Sequence, residues 1–230
     1  MSDQFSAWQL ILNGDPTLLA IVRLSLAVSL SAVVLAALAG MPLGALLALT
    51  RFPGRSVLVV LLNALMGLPP VVVGLAVYLL LSRSGPLGAM GILFTPTAMV
   101  IAQTILIVPI IAALTRQTVE DLWVEYRDEL SAMDVSPAGR MTTLLWDARF
   151  SLLTALLAGF GRAAAEVGAV MIVGGNIDGF TRTMTTAVAL ETSKGNLPLA
   201  MGLGLILVVI VLAINAAAWG TRAWSERQAG

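Results

Sequence analysis

Long apolar runs separated by short polar passages set the pattern of this chain. The runs over positions 18–49, 57–81, 97–115, 150–173 and 199–219 each approach or exceed the roughly 20 residues that a helix needs to cross a bilayer. They predict an all-α membrane protein of about five transmembrane helices in a single domain, 1–230. One passage, 116–149, departs from this pattern. It carries Arg116, Glu120, Asp121, Glu125, Arg127, Asp128, Glu129, Asp134, Arg140, Asp147 and Arg149. A charge at the centre of a spanning helix costs about 2.5–3.5 kcal/mol, so this passage is expected in water beside the membrane.

The polar passage has its own helical period. Val119, Leu122, Trp123, Tyr126, Leu130 and Met133 recur at steps of three and four and form one apolar stripe. Asp134-Val135-Ser136-Pro137 stops that helix and starts another, with Ser136 as N-cap and Pro137 at the first helical position, where a missing N–H does no harm. The second helix, 137–146, brings Ala138, Met141, Leu144 and Leu145 to one side. Two readings stay open for this helix-turn-helix. It docks a partner, or it is an amphipathic hairpin on the bilayer surface or against the chain's own spans.

Within the apolar runs a few residues interrupt the pattern. A bend or a protrusion into water is expected near Gly40-Met41-Pro42 and a kink at Pro109. Pro69 and Pro70 are adjacent inside the second run, so its helix is expected to kink or break at membrane depth. Broken backbone is tolerated there only where protein or a water-filled cavity surrounds it, which makes the pair a candidate for a transport route, against a plain packing kink. Arg162 and Glu166 stand four apart in the fourth run and share a helical face. Such a pair rarely faces lipid; it either clamps helices together or lines a route. After Gly174-Gly175-Asn176 comes a hydroxyl-rich segment holding Thr181, Arg182 and Thr183, then a short helix near 187–192 that either re-enters the membrane or lies on its surface.

Composition narrows the function classes. The chain is 58% apolar and 11% charged, with mean hydropathy +0.94, far from the roughly 25% charged residues of a soluble domain. It holds no Cys and no His, which removes thiol chemistry, the usual general base and the commonest metal ligand. Neither a catalytic residue nor a metal site is expected. Net charge is zero and the arginines are scattered, so nucleic acid is not an expected partner. Positions 1–14 lack Lys and Arg and do not read as a signal peptide.

Cationic residues set the expected orientation. Arg51, Arg55, Arg116, Arg127, Arg140, Arg149, Arg222 and Arg227 fall on one side, eight against the four of Arg23, Arg83, Arg182 and Lys194. The richer side is expected in the cytoplasm, giving an N-out, C-in plasma-membrane protein with a cytoplasmic loop 116–149. A phosphate-binding loop of the Walker type needs Lys followed by Ser or Thr, and Lys194 is followed by Gly195. If transport is driven by ATP, a separate subunit binds it, and this chain carries no cofactor.

Three ordered motifs resemble a known family: Leu68-Pro69-Pro70-Val71-Val72-Val73-Gly74, Gly161-Arg162-Ala163-Ala164-Ala165-Glu166-Val167-Gly168-Ala169, and Asn176-Ile177-Asp178-Gly179-Phe180-Thr181-Arg182-Thr183. Together they are similar to the permease subunit of molybdate/tungstate-type ABC importers, with 181–196 and 144–149 most similar to the tungstate branch. The resemblance implies a type I importer permease that works as a homodimer in membrane lipid, with two cytoplasmic ATPase subunits and an extracytoplasmic oxyanion-binding protein. It implies a route at the subunit interface, for which Pro69, Pro70, Arg162, Glu166, Thr181, Arg182 and Thr183 are candidates. It also implies that Leu130, Met133, Asp134, Val135, Ser136 and Pro137 couple to the ATPase. The family's loop signature, EAA with a following glycine, is altered: Asp128-Glu129-Leu130 stands in its place, Asp134 replaces the glycine, and Trp146-Asp147 replaces a later Leu-Pro. A permease for molybdate, sulfate or another anion, and a self-contained channel or membrane scaffold, remain as alternatives.

Overall fold

The computed structural model describes residues 16–229, with side chains to position 220, and among these every regular element is helical. In chain order they are α1 (Pro16–Leu49), α2 (Arg55–Leu65), α3 (Pro70–Leu81), α4 (Pro96–Ala132), α5 (Pro137–Asp147), α6 (Arg149–Ala164), α7 (Gly168–Gly174), α8 (Met184–Ser193) and α9 (Leu197–Ala229). A single 3-10 turn, Gly88–Met90, lies between α3 and α4. The expectation about positions 1–14 falls outside the described residues.

Three helices are long and apolar enough to cross a membrane alone: α1, α4 and α9 as far as Gly220. The pairs α2 with α3, bent by 100°, and α5 with α6, bent by 73°, qualify only jointly, so the spans number three to five. The expected second span, 57–81, is thus two helices of 11 and 12 residues. Each is about 17 Å long, roughly half of a hydrocarbon core. The expected fourth span, 150–173, is also divided, into α6 and α7.

Proline acts differently at each of its sites. At the α2–α3 break Pro70 is the first residue of α3, and Pro69 before it is extended, at φ −65° and ψ 121°. A residue preceding proline is pushed out of the helical region, so Pro70 holds Pro69 extended and begins α3, while α2 has already ended at Leu65. Pro42 and Pro109 instead lie inside continuous helices, and the bends expected there are not breaks. With 37 residues α4 is about 56 Å long. That is nearly twice a hydrocarbon core of about 30 Å, so the expected third span and the first helix of the polar passage are one rod.

The described residues divide into two compact units. One comprises 33–68 and 104–160. Its backbones approach most closely at Gly44, where an added Cβ would stand 2.4 Å from the Ala112 carbonyl oxygen; Gly40, four residues earlier, meets Val108 and Ala112. Small residues at this spacing let two helices pack backbone to backbone. Farther along, Ala45 and Ala48 of α1, Val119 and Leu130 of α4, and Leu144 of α5 form a buried core. Leu122, Trp123, Tyr126, Met141 and Leu145 pack around it. The apolar stripe as far as Leu130 is therefore covered from within the unit by α5 and the end of α1, and Met133 lies outside that cover. Each fully buried large aliphatic side chain there contributes about 1.5–3 kcal/mol.

The other unit comprises 16–32, 69–103 and 161–229. Here α3 packs on α7 through Gly74, whose added Cβ would stand 2.7 Å from the Ala169 Cα. The Phe94 N–H donates to the Val173 carbonyl at 2.9 Å, and Tyr78 meets Phe94 edge to face at 6.0 Å. Met99, Val170, Val173, Met184 and Leu203 are buried, and α8 packs along α9.

Candidate functional site: two interrupted helices

The first candidate is the interval Ala165-Glu166-Val167 between α6 and α7. Helix α6 ends where the Ala163 carbonyl finds other partners: Gln103 Nε2 donates to its oxygen at 3.1 Å, and the Glu166 N–H donates to the same oxygen at 3.2 Å. Glu166 is 3% exposed. Its Oε2 accepts from Arg162 Nη1 at 2.5 Å and its Oε1 from the Ala169 N–H at 2.9 Å, so one carboxylate ties the end of α6 to the first turn of α7. A buried charge is stable only when paired and hydrogen-bonded in this way. Arg162 and Glu166 do pair as their spacing suggests, yet Glu166 stands in the break and caps a new helix.

Two further elements converge on this break. Val71, in the first turn of α3, lies against Gly168, whose added Cβ would stand 2.8 Å from Val71 Cγ2. Pro70 thus starts α3 beside the start of α7. From the other side Thr185 Oγ1 donates to the Glu166 carbonyl at 2.8 Å. Helix α8 carries a reciprocal capping box between Thr183 and Thr186, and its Met184 N–H donates to Ser25 Oγ of α1 at 2.7 Å.

The remaining candidates of the hydroxyl-rich segment are engaged internally. Thr181 Oγ1 donates to the Gly174 carbonyl at 2.5 Å and accepts from the Ile177 N–H at 2.9 Å. Thr183 caps α8, and Arg182 pairs with Asp178 at 2.9 Å. Pro69 is exposed, one residue before α3. Sequence reasoning missed Ser25, Gln103 and Thr185. The first two were detectable as polar residues inside runs of otherwise apolar ones, a pattern that marks buried polar contacts in membrane helices. Gln103 Oε1 is buried and has no hydrogen-bond partner among the described residues.

The second candidate is the turn between α4 and α5. Asp134 has φ +49°, the left-handed region that favours glycine, which explains why a glycine suits this position. The Val135 N–H returns to the Leu130 carbonyl at 3.2 Å, and Ser136 Oγ accepts from the Gly139 N–H at 3.2 Å, the N-cap expected from sequence. Arg140 braces the turn, with Nε donating to the Val135 carbonyl at 2.8 Å and its guanidinium 5.5 Å from the Trp123 ring centre. The six residues expected to act together divide by direction. Leu130 is in the core at 9% exposure and Val135 is half-buried, whereas Met133 is 74% exposed and Asp134, Ser136 and Pro137 face out with it.

No protein-family model matches the chain. It is 43% identical over 204 residues to a probable anion ABC transporter permease protein of Haloferax volcanii, covering 86% of this chain and 88% of the relative. It is 38% identical over 211 residues, 92% of each chain, to the tungstate uptake system permease protein TupB of Peptoclostridium acidaminophilum. Against the protein of that name in Campylobacter jejuni it is 36% identical over 206 residues, 90% of this chain and 86% of the relative. Sulfate and molybdenum transport permeases match at lower identity.

Proposed function

The chain belongs to the ABC transporter permeases, multi-pass membrane proteins, and from that premise we propose that it is the membrane subunit of an importer that carries tungstate into the cytoplasm. The observation that carries the substrate is the likeness to two tungstate permeases along 92% and 90% of the chain. The subunit works as a homodimer with a separate cytoplasmic ATPase pair and an extracytoplasmic oxyanion-binding protein, which selects the anion. The arginine distribution supports an N-out, C-in orientation that puts the α4–α5 turn in the cytoplasm.

The mechanical part of the proposal rests on exposure. Met133, Asp134, Ser136 and Pro137 form a protruding corner on a firm base, since Leu130 and Leu144 below it are buried and Arg140 pins Val135. That corner docks on the ATPase, and closure of the ATPase pair is passed into the membrane along α4, a continuous helix. Hydrolysis then drives the permease between outward- and inward-facing arrangements.

The experiment is reconstitution of the permease with its ATPase and binding protein in vesicles. Tungstate-loaded binding protein is expected to stimulate hydrolysis and to give ATP-dependent tungstate accumulation. Stimulation by sulfate or molybdate but not tungstate would overturn the substrate, and ion flux without the ATPase would overturn the class.

A further inference from the structure

Where α1 ends and α2 begins, cations outnumber anions in a partly open cluster. Glu120 of α4 pairs with both Arg55 and Arg116. Arg55 Nε also donates to the Leu47 carbonyl at 2.7 Å, one of the last α1 carbonyls, which have no partner within the helix. One carboxylate between two guanidiniums leaves a net positive charge. Arg51, exposed on the same tight turn and among the described residues in no ion pair, adds a second. Asp121, the next acid on α4, is exposed and lies about 100° round the helix from Glu120.

The cluster also has unused bonding capacity. Arg116 is only 16% exposed at its side chain, and its Nε is buried with no acceptor among the described residues. A charged donor left unsatisfied is costly, so such a site favours an additional acceptor with several oxygens. Immediately beyond Arg55, α2 turns Val57, Leu58, Val60 and Leu61 outward, an apolar face that nothing within the unit covers. Cation at the end of a span and an uncovered apolar helix beside it match the two halves of one molecule.

We propose that this corner is a binding site for an anionic phospholipid. The phosphate is held by Arg51, Arg55 and Arg116, and the acyl chains lie along α2. Guanidinium groups bind phosphate through paired N–H donors. Glu120 positions two of them and limits affinity by competing for their charge. The site does not depend on which anion the permease transports.

The test uses the purified full-length permease, stripped of lipid by detergent exchange. Retained lipid is read by native mass spectrometry and the unfolding midpoint is followed on adding phosphatidylglycerol, phosphatidylcholine or inorganic phosphate. Phosphatidylglycerol is expected to bind preferentially, and Arg51→Gln and Arg116→Gln each to weaken that preference about fivefold, the effect of one arginine near an anionic headgroup. Glu120→Gln is expected to strengthen it, a direction that simple loss of structure would not produce. If Arg116→Gln does not accumulate, Arg51→Gln and Glu120→Gln decide the question. Equal retention of the two lipids, protection by inorganic phosphate equal to that by phosphatidylglycerol, or no change in Glu120→Gln would overturn the proposal.

Discussion

The α6–α7 break and the α4–α5 turn are both corners with an acidic residue at or near the bend, and they use it in opposite ways. Glu166 is buried, and both carboxylate oxygens hold hydrogen bonds to neighbouring helices. Asp134 is exposed, and among the described residues its carboxylate is in no ion pair or hydrogen bond. Burial without partners is costly, so a buried acid must complete its bonds within the fold, whereas an exposed one is held by solvent and stays free for another molecule. The first corner is accordingly an anchor joining α6 to α7, and the second is an exposed corner on a rigid base, the one proposed above to dock the ATPase.

The largest effect should come from removing the anchor. Glu166→Ala leaves the half-buried Arg162 without its carboxylate and Ala169 N–H without an acceptor, at about 3–5 kcal/mol by the usual cost of breaking a buried pair. Glu166→Gln keeps an acceptor for Ala169 and should lose about 1–3 kcal/mol. The double change Arg162→Ala with Glu166→Ala should be milder than Glu166→Ala alone, because no unpaired charge remains. Unfolding of the purified permease measures all three. Native-like stability of Glu166→Ala would remove the contrast between the corners.

The two corners also differed in how far the sequence disclosed them. Ser136 and Pro137 announce a helix start through chemistry local to a few residues, and Pro69-Pro70 likewise announce a break. Nothing local ends α6 at Ala164, since Arg162-Ala163-Ala164-Ala165-Glu166 is a strong helix-forming run. The break is imposed by Gln103, distant in sequence, and by the pull of Ala169 on Glu166. The spacing correctly paired Arg162 with Glu166 but implied an unbroken helix. In the polar passage the periodicity located the stripe and left open what covers it. Leu130 and Met133 are three apart, and only the packing of α5 and α1 separates the buried one from the exposed one.

That separation gives the second test. Leu130→Asp places an unpaired carboxylate in the core formed with Val119 and Leu144, and should destabilise the permease by about 2–5 kcal/mol. Met133→Asp changes an exposed side chain, and stability should stay within about 0.5 kcal/mol. If the corner is the docking surface, Met133→Asp should nonetheless weaken retention of the ATPase on co-purification. Normal retention and normal ATP-dependent uptake in Met133→Asp would leave the turn as a surface feature only.

The smallest effect sharpens the contrast from the other side, by separating the backbone of the exposed corner from its charge. Asp134 adopts a left-handed conformation that costs most L-residues about 1–2 kcal/mol, less for Asp because its short side chain bonds locally. Asp134→Gly removes that strain but loosens the unfolded chain, so the net gain should be only about 0.5 kcal/mol. Asp134→Asn keeps a residue that tolerates this backbone and deletes the charge, so its stability should match that of the unmodified chain. Asp134→Val combines a branched side chain with positive φ and should lose about 1–2 kcal/mol. Measured together, unfolding and ATPase co-purification divide the two roles. If Asp134→Gly and Asp134→Asn are both stable and both bind the ATPase less well, the carboxylate itself is read by the partner. If both bind normally while Asp134→Val fails, the partner reads the shape of the turn, and the free carboxylate at this corner has no part in recognition.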